Sequence, residues 1–292
     1  MNPIGKGVDQ SKERAGVENI VGLALNEDQV NRDVTTLSLC AFDAPVRAEV
    51  VAKAAGVLSG TPAFRETFRQ VDTRVSIESR RHDGDPLSPG DVVLELFGSE
   101  GAILRGERTA LNFLQRLSGV ATMTRCFVER LSGTGVTLLD TRKTTPGMRL
   151  LEKRAVRDGG GFNHRLHLAD MAMIKDNHIR MVGSITLAVE AVRRHHPDVA
   201  VEVETQDLDQ FREALELPVD LIMLDNFTDE MVKRAVALNQ GRRRLELSGN
   251  VTLDNIAQRV IPGISFISVG ALTHSYRSLD LSLEIRPQGE KK

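Results

Sequence analysis

Val136-Thr-Leu-Leu-Asp-Thr-Arg-Lys-Thr-Thr-Pro-Gly147 and Met171-Ala-Met-Ile-Lys-Asp-Asn-His178 share one design, a short apolar run that breaks into a polar, basic loop. Runs of this length, bounded by charge and turn residues, read as buried strands. The texture repeats downstream. Strand candidates end near Asp140, Lys175, Glu204, Leu224, Leu247 and Val269, and the stretches 184–195, 207–217, 228–238 and 252–260 carry helical spacing between them. Asp207, Thr228 and Thr252 are the expected N-caps, because a short oxygen-bearing side chain satisfies the first free backbone N–H groups. Strands alternating with helices of this length imply parallel βα units. A closed eight-fold barrel takes roughly 250 residues. The rhythm here starts only at Val136 and ends near Gly270, so the expectation is an open, incomplete α/β barrel.

Upstream the pattern differs. Residues from about 16 to 135 read as one α+β unit. It has helical spacing at 17–30, a Val- and Ala-rich strand at 47–57, and a helix opened by Thr61 as N-cap with Pro62 in its first turn. Strands follow at 75–77 and 91–97, and then a long helix at 106–131 in which Gly119 is expected to bend or break the run. The alternating tail Leu279-Asp-Leu-Ser-Leu-Glu-Ile285 is expected to return to this first domain as a strand. The fold class is therefore α/β: an α+β unit, rejoined by the tail, and an open α/β barrel.

The composition, 41% hydrophobic and 27% charged, is that of a soluble globular chain. No apolar run approaches the roughly 18 residues needed to span a bilayer, and the polar opening lacks the apolar core of a signal peptide. Cys40 and Cys126 form neither a metal spacing nor a disulfide framework, which makes a reducing cytoplasm the expected compartment. The basic loops lack interleaved aromatics, and the chain has no Trp, which argues against a nucleic-acid binder.

The charge is nonetheless concentrated. From Arg142 to Lys175 there are eight Lys or Arg against three acids, in a chain of net charge −2. Polar residues also recur just past each strand: Asp140, Thr141, Arg142 and Lys143; Lys175; Glu204; Asp225; Ser248-Gly249-Asn250; Gly270-Ala271. Active sites of parallel barrels gather at that rim, since every βα loop opens there. Arg142, Lys143, Arg165 and Lys175, with His164, suit carboxylates or phosphates, Arg by its fork and Lys as a point charge. Glu204 and Asp225 could face Mg²⁺ or sugar hydroxyls, or could pair with bases across the rim. Glu202 is expected on the opposite face of its strand, in a structural role. Arg149, Lys153, Arg154 and Arg157 are expected on a solvated helical face. Gly-bearing loops after the last strands suit a phosphate.

Several of these stretches resemble the quinolinate phosphoribosyltransferase family: Gly106-Glu-Arg-Thr-Ala-Leu-Asn112, Asp140 to Gly147, Asn163-His-Arg165, Ile174-Lys-Asp-Asn-His178, Glu202-Val-Glu204, Met223-Leu-Asp-Asn226, Ser248-Gly-Asn250 and Ser268-Val-Gly-Ala271. The resemblance runs from about Ala24 to His274. It departs in 27–36, where an expected Gly is absent. It implies transfer of a phosphoribosyl group from phosphoribosyl pyrophosphate to quinolinate with loss of CO₂, in NAD biosynthesis. It implies an N-terminal α/β sandwich domain over 1–117, rejoined by the tail 277–292, and an open α/β barrel over 118–276. It implies Mg²⁺ held by Glu204 and Asp225, directly or through substrate, and a homodimer with shared sites. Arg142, His164, Arg165 and Lys175 would then hold the quinolinate carboxylates, with Arg108 arriving from the partner subunit. Thr141 and Asn250 belong to the same matched loops. Lys143 and Lys175 would face the pyrophosphate, and Ser248, Gly249, Gly270 and Ala271 the 5′-phosphate. Lys143, Lys175, Glu204 and Asp225 are the implied catalytic set. Three readings compete: a paralogue taking another acceptor, a Schiff-base aldolase built on Lys175, and a phosphate-ligand sensor without turnover.

Overall fold

The computed structural model describes residues 10–39 and 44–286, so Cys40 lies outside the described residues. In chain order the elements are α1 (Gln10–Glu27), α2 (Val34–Leu39), β1 (Pro45–Ala52), β2 (Gly56–Val57), α3 (Thr61–Val71), β3 (Ser76–Ser79), β4 (Pro86–Leu87), β5 (Val92–Ser99) and α4 (Glu100–Arg130). Then follow β6 (Thr137–Leu139), α5 (Arg149–Asp158), β7 (Met171–Ile174), α6 (Asp176–Val182), α7 (Ile185–His195), β8 (Ala200–Thr205), α8 (Leu208–Leu215) and β9 (Leu221–Asp225). The chain finishes with α9 (Asp229–Asn239), β10 (Arg244–Ser248), α10 (Ile256–Arg259), β11 (Phe266–Ser268), α11 (Ala271–His274) and β12 (Leu281–Arg286). None of the described helices is long and apolar enough to cross a membrane.

Two compact units result. One holds Cys126–Thr144 and Gly161–Ser275; the other holds the described parts of Val8–Arg125, Thr145–Gly160 and Tyr276–Lys292. The expected boundary after 117 falls inside α4, which runs unbroken from Glu100 to Arg130. Gly119 does not break this helix. A Cβ there would stand 2.3 Å from the Arg277 carbonyl oxygen, so glycine is what lets the returning tail pass against the helix.

The second unit is built on an antiparallel sheet of order β12-β1-β5-β3. The tail strand β12 pairs with β1, Ala52 opposite Leu281 and Arg47 opposite Arg286. Ala48, Val50 and Ala52 alternate onto one face and are fully buried with Phe64 and Phe68 of α3, whose ring centroids stand 5.2 Å apart. Each fully buried side chain of Phe or Leu size contributes about 1.5–3 kcal/mol. The expected strand at 47–57 is interrupted after Ala52, and its last two residues pair separately with β4. Thr61 is not the cap of α3. Gly60, at φ 106°, turns the chain, and Thr61 already lies in the helix.

The expected solvated face of α5 holds for Arg157, which is exposed, and fails for Lys153 and Arg154. Lys153 is fully buried and Glu152 nearly so, and Arg154 Nη1 donates to Glu13 Oε1 of α1 at 2.9 Å. The sequence period of α5 allowed a solvated reading because long cationic side chains can bury their stems against a neighbouring helix.

The first unit is a six-stranded parallel sheet of order β6-β11-β10-β9-β8-β7, with β6 and β7 as its edges. The two edges are not paired with each other, so the barrel is open. Phe162 extends the β6 edge through a parallel bridge to Leu139. Val201, Val203, Ile222, Leu224, Leu245 and Leu247 are buried on one face, as both-side coverage of a parallel sheet requires. Asp207 caps α8 by accepting from Asp209 N–H and Gln210 N–H, and Thr228 caps α9 by accepting from Met231 N–H. Thr252 caps nothing. Asn255 Oδ1 accepts the Thr252 N–H at 2.9 Å, this local bond competes with helix, and α10 starts only at Ile256.

Candidate active site

Strand alternation decides which side chains meet. Residues two apart share a face, so the inward positions run in pairs: Met173 and Lys175, Glu202 and Glu204, Met223 and Asp225, Glu246 and Ser248, Ser268 and Gly270. With the loops that follow, they surround a cavity of about 730 Å³. Thr141, Arg142, Lys143, His164, Arg165, Lys175, Glu204, Asp225, Ser248, Gly249, Asn250, Gly270 and Ala271 all line it. Arg108 does not; it is an exposed residue of α4 in the other unit.

Asp140 organises the basic wall. It is fully buried; its Oδ1 accepts the His164 N–H at 2.8 Å and its Oδ2 accepts from Asn163 Nδ2 at 2.6 Å. One carboxylate at the end of β6 thus pins the loop carrying His164 and Arg165. Arg165 Nη1 donates to the Met171 carbonyl at 3.0 Å. Its pKa is lowered, first by burial and then by the neighbouring Arg142 charge. Arg142 Nε is buried with no hydrogen-bond partner. Two guanidiniums held this close, one with an unspent donor, form a site that gains from an anion.

Lys143 is held by its backbone: its N–H donates to Thr141 Oγ1 at 3.1 Å and its carbonyl accepts from Thr273 Oγ1 at 2.8 Å. Its stem passes Gly270, where a Cβ would lie 3.0 Å from Lys143 Cδ. Across the cavity Lys175 Nζ donates to Glu204 Oε2 at 2.5 Å, linking the ends of β7 and β8. Glu204 thus pairs with a base at the rim, as one of the two expectations had it, and lines the cavity. Asp225 Oδ2 accepts from Asn226 Nδ2 at 2.9 Å.

Glu202 is not on the opposite face, contrary to the expectation. Two residues from Glu204, it shares the inward face one tier deeper and is fully buried, as is Glu246 of β10. His164 Nε2 stands between them, 3.1 Å from Glu202 Oε2 and 3.3 Å from Glu246 Oε2. Burial alone would depress the His164 pKa, but Glu246 and then Glu202 outweigh it and raise it. Burial, and then the Glu246 charge, raise the Glu202 pKa. These three side chains bring donor atoms within 4.8 Å of one another, as a metal site would. Arg165 N–H also approaches His164 Nδ1 at 2.7 Å, and the rise in the His164 pKa favours a proton, rather than a metal ion, between Nε2 and the two carboxylates. His164 lines the cavity as well, with Arg142 and Arg165 beside it.

Sequence reading had missed Glu246, Asn226, Met173, Met223 and the anchoring part of Asp140. The signal for Glu246 was available: it lies two residues before Ser248, as Glu202 does before Glu204.

Comparison with known proteins gives one answer. A model of the quinolinate phosphoribosyl transferase C-terminal domain matches residues 120–284, and the model of the N-terminal domain matches residues 33–118. A protein of Bacillus subtilis (strain 168) named "Probable nicotinate-nucleotide pyrophosphorylase (carboxylating)" is 42% identical over 267 residues, covering 90% of this chain and 91% of its own. The chloroplastic nicotinate-nucleotide pyrophosphorylase (carboxylating) of Arabidopsis thaliana is 41% identical over 286 residues, covering 91% of this chain and 82% of its own. The solved nicotinate-nucleotide pyrophosphorylase of Francisella tularensis superposes with a TM-score of 0.90 at 39% identity, covering 94% of this chain and 97% of that one.

Proposed function

This chain belongs to the quinolinate phosphoribosyltransferase family, and on that premise we propose that it converts quinolinate and phosphoribosyl pyrophosphate to nicotinate mononucleotide, pyrophosphate and CO₂, a step of NAD biosynthesis. The observation that carries the reading is one cavity with a cationic wall, Arg142, Lys143, Arg165 and Lys175, facing the carboxylates Glu204 and Asp225.

The chemistry needs little else. The pyridine nitrogen forms a bond to the sugar carbon as the bond to pyrophosphate breaks, so no protein nucleophile is required. Holding both reactants in line can supply roughly 7–11 kcal/mol, and fixed charges aimed at the leaving group and at the sugar's developing positive charge add to it. Arg142, Arg165 and Lys175 orient the dianion. Lys143 and Lys175 meet the departing pyrophosphate. Glu204 and Asp225 face the ribose, and the Ser248–Asn250 and Gly270–Ala271 loops the 5′-phosphate. Alkylation leaves a cationic ring nitrogen; the electron pair released when the adjacent carboxylate departs as CO₂ stays on the ring carbon, stabilised by that neighbouring positive charge, and there takes a proton.

Glu204 and Asp225 are hard oxygen donors at neighbouring strand ends, a set that suits Mg²⁺ held by one or two carboxylates together with substrate phosphates. We include Mg²⁺ in the proposal; when bound it would offset the charge of the leaving pyrophosphate. We include also a homodimer in which Arg108 of the partner subunit completes the site. Leu23, Val34, Leu37 and Leu39 of α1 and α2 are exposed apolar side chains, which supports an interface there.

Incubation with quinolinate, phosphoribosyl pyrophosphate and Mg²⁺ should yield nicotinate mononucleotide and stoichiometric CO₂. Product only when nicotinate replaces quinolinate would replace this reading with the paralogous one. Mixing inactive Arg108→Ala and Lys175→Ala chains should restore part of the activity if sites are shared, and none if they are not.

A further inference from the structure

Two non-glycine residues at the cavity rim stand in the left-handed region, Asn226 at φ 57° and Asn250 at φ 52°. Such backbone is sparsely populated by residues other than glycine and persists where surrounding contacts enforce it. Here the contacts form a chain. Asn226 N–H donates to the Ser248 carbonyl at 3.0 Å, and its side-chain Nδ2 donates to Asp225 Oδ2 at 2.9 Å. Its Oδ1 accepts from Asn250 Nδ2 at 3.0 Å, and the Asn250 carbonyl accepts from Asn255 Nδ2 at 2.8 Å. Between the two asparagines lies Gly249, at φ 89°, where a Cβ would come within 2.2 Å of Asn226 Oδ1. The loop after β10 is therefore moulded directly onto the Asn226 amide.

We propose that Asn226 is a positioning residue that clamps the Asp225 carboxylate to the Ser248–Asn250 loop, so that the sugar-facing acid and the phosphate-facing backbone keep one fixed separation. The inference rests on the function proposed above. Asn226 commits both side-chain polar atoms and its backbone N–H to this: one amide hydrogen on the acid, the amide oxygen on the loop and the backbone N–H on Ser248. An aspartate could not replace it, because it would set a like charge beside Asp225 and lose the donor. The left-handed turn aims the amide, which a right-handed residue at this position would direct elsewhere. The clamp spans the ends of β9 and β10, which pair in parallel with Ser248 opposite Asp225, so two adjacent rim positions act as one.

The test separates backbone from amide. Asn226→Gly keeps the left-handed turn and removes the amide; Asn226→Ala removes both. Both variants should raise KM for phosphoribosyl pyrophosphate at least tenfold and leave KM for quinolinate within about twofold. Without any substrate, hydrogen exchange of the 248–255 segment should accelerate at least tenfold in both. A glycine variant at wild-type values in exchange and in KM would overturn the proposal, since backbone conformation alone would then suffice. Wild-type exchange in the alanine variant overturns it whatever the enzyme turns over. Absence of product from the unaltered protein would count against the assigned function, while the exchange measurement would still decide the clamp.

Discussion

Lys175 Nζ stands 2.5 Å from Glu204 Oε2, so a principal cation of the cavity is paired with one of its acids before any substrate arrives. The Lys175 side chain is 42% exposed, and ion pairs of such exposure contribute about 0–1 kcal/mol to stability. The pair therefore does little for the fold and holds both groups in place. Lys175→Ala should leave the melting temperature within about 2 °C and reduce kcat at least a hundredfold, as thermal melts and product assays would show. A large loss of stability would mean that the pair is structural.

Arg142→Lys tests geometry rather than charge. The buried Arg142 Nε has no partner, and a lysine keeps the charge without the planar fork that meets a carboxylate at two points. KM for quinolinate should rise at least tenfold in Arg142→Lys and further in Arg142→Ala. Equal activity of Arg142→Lys and the unaltered enzyme would show that a point charge suffices.

Glu202 and Glu246 put two fully buried carboxylates beside one imidazole. Removing a carboxylate from water costs several kcal/mol, and the second acid adds repulsion. Glu246→Gln relieves one charge at nearly constant volume. It should melt at the same temperature or up to about 4 °C higher, the equivalent of roughly 1 kcal/mol in a chain of this size. A drop of several degrees would show that both charges are needed to hold His164.

A pH dependence of stability follows from Asp158. This mostly buried carboxyl accepts Ser59 Oγ at 2.7 Å, and burial, with the Asp83 charge adding, raises its pKa from 3.8 to about 6. The folded chain thus binds this proton more tightly than the unfolded one. Its contribution is most favourable below about pH 4, declines as pH rises through 6, and stays unfavourable above. Asp158→Asn should gain about 1–3 kcal/mol over the unaltered protein at pH 8, with the gain shrinking towards zero at pH 4. Paired urea titrations at the two pH values measure it, and a gain independent of pH would refute the assignment.

Gly119→Ala sets helix propensity against packing. Alanine is favoured over glycine by about 1 kcal/mol inside a helix, but its Cβ would stand 2.3 Å from the Arg277 carbonyl oxygen. Overpacking against backbone costs about 1–3 kcal/mol or more. Net destabilisation is expected in equilibrium unfolding, and a stabilised variant would show that the tail yields.

The sequence by itself determined the β/α order from β6 to β11 and the rim of the barrel, but not α2, α6 or α11, helices of six, seven and four residues that are too short to show a period. Apolar runs that end in charge are local signals, and in parallel βα units the residue after each strand must open on the same side. That rule alone carried Arg142, Lys143, Lys175, Glu204 and Asp225 into one group, and the resemblance of the loops added the reaction.

What lay beneath the rim needed the tertiary structure. Glu246 sits in an apolar strand with no local mark of its partner, because His164 reaches it from a loop more than eighty residues earlier in sequence. Lys153 has the charge of a surface residue and is fully buried, while its neighbour Arg154 reaches Glu13 of α1, which lies 141 residues away in sequence. The left-handed turn of Asn226 depends on a loop that only β-sheet pairing brings alongside. Periodicity records which face a residue takes and not what it meets there, and burial, ion pairing and clamp are all properties of the meeting.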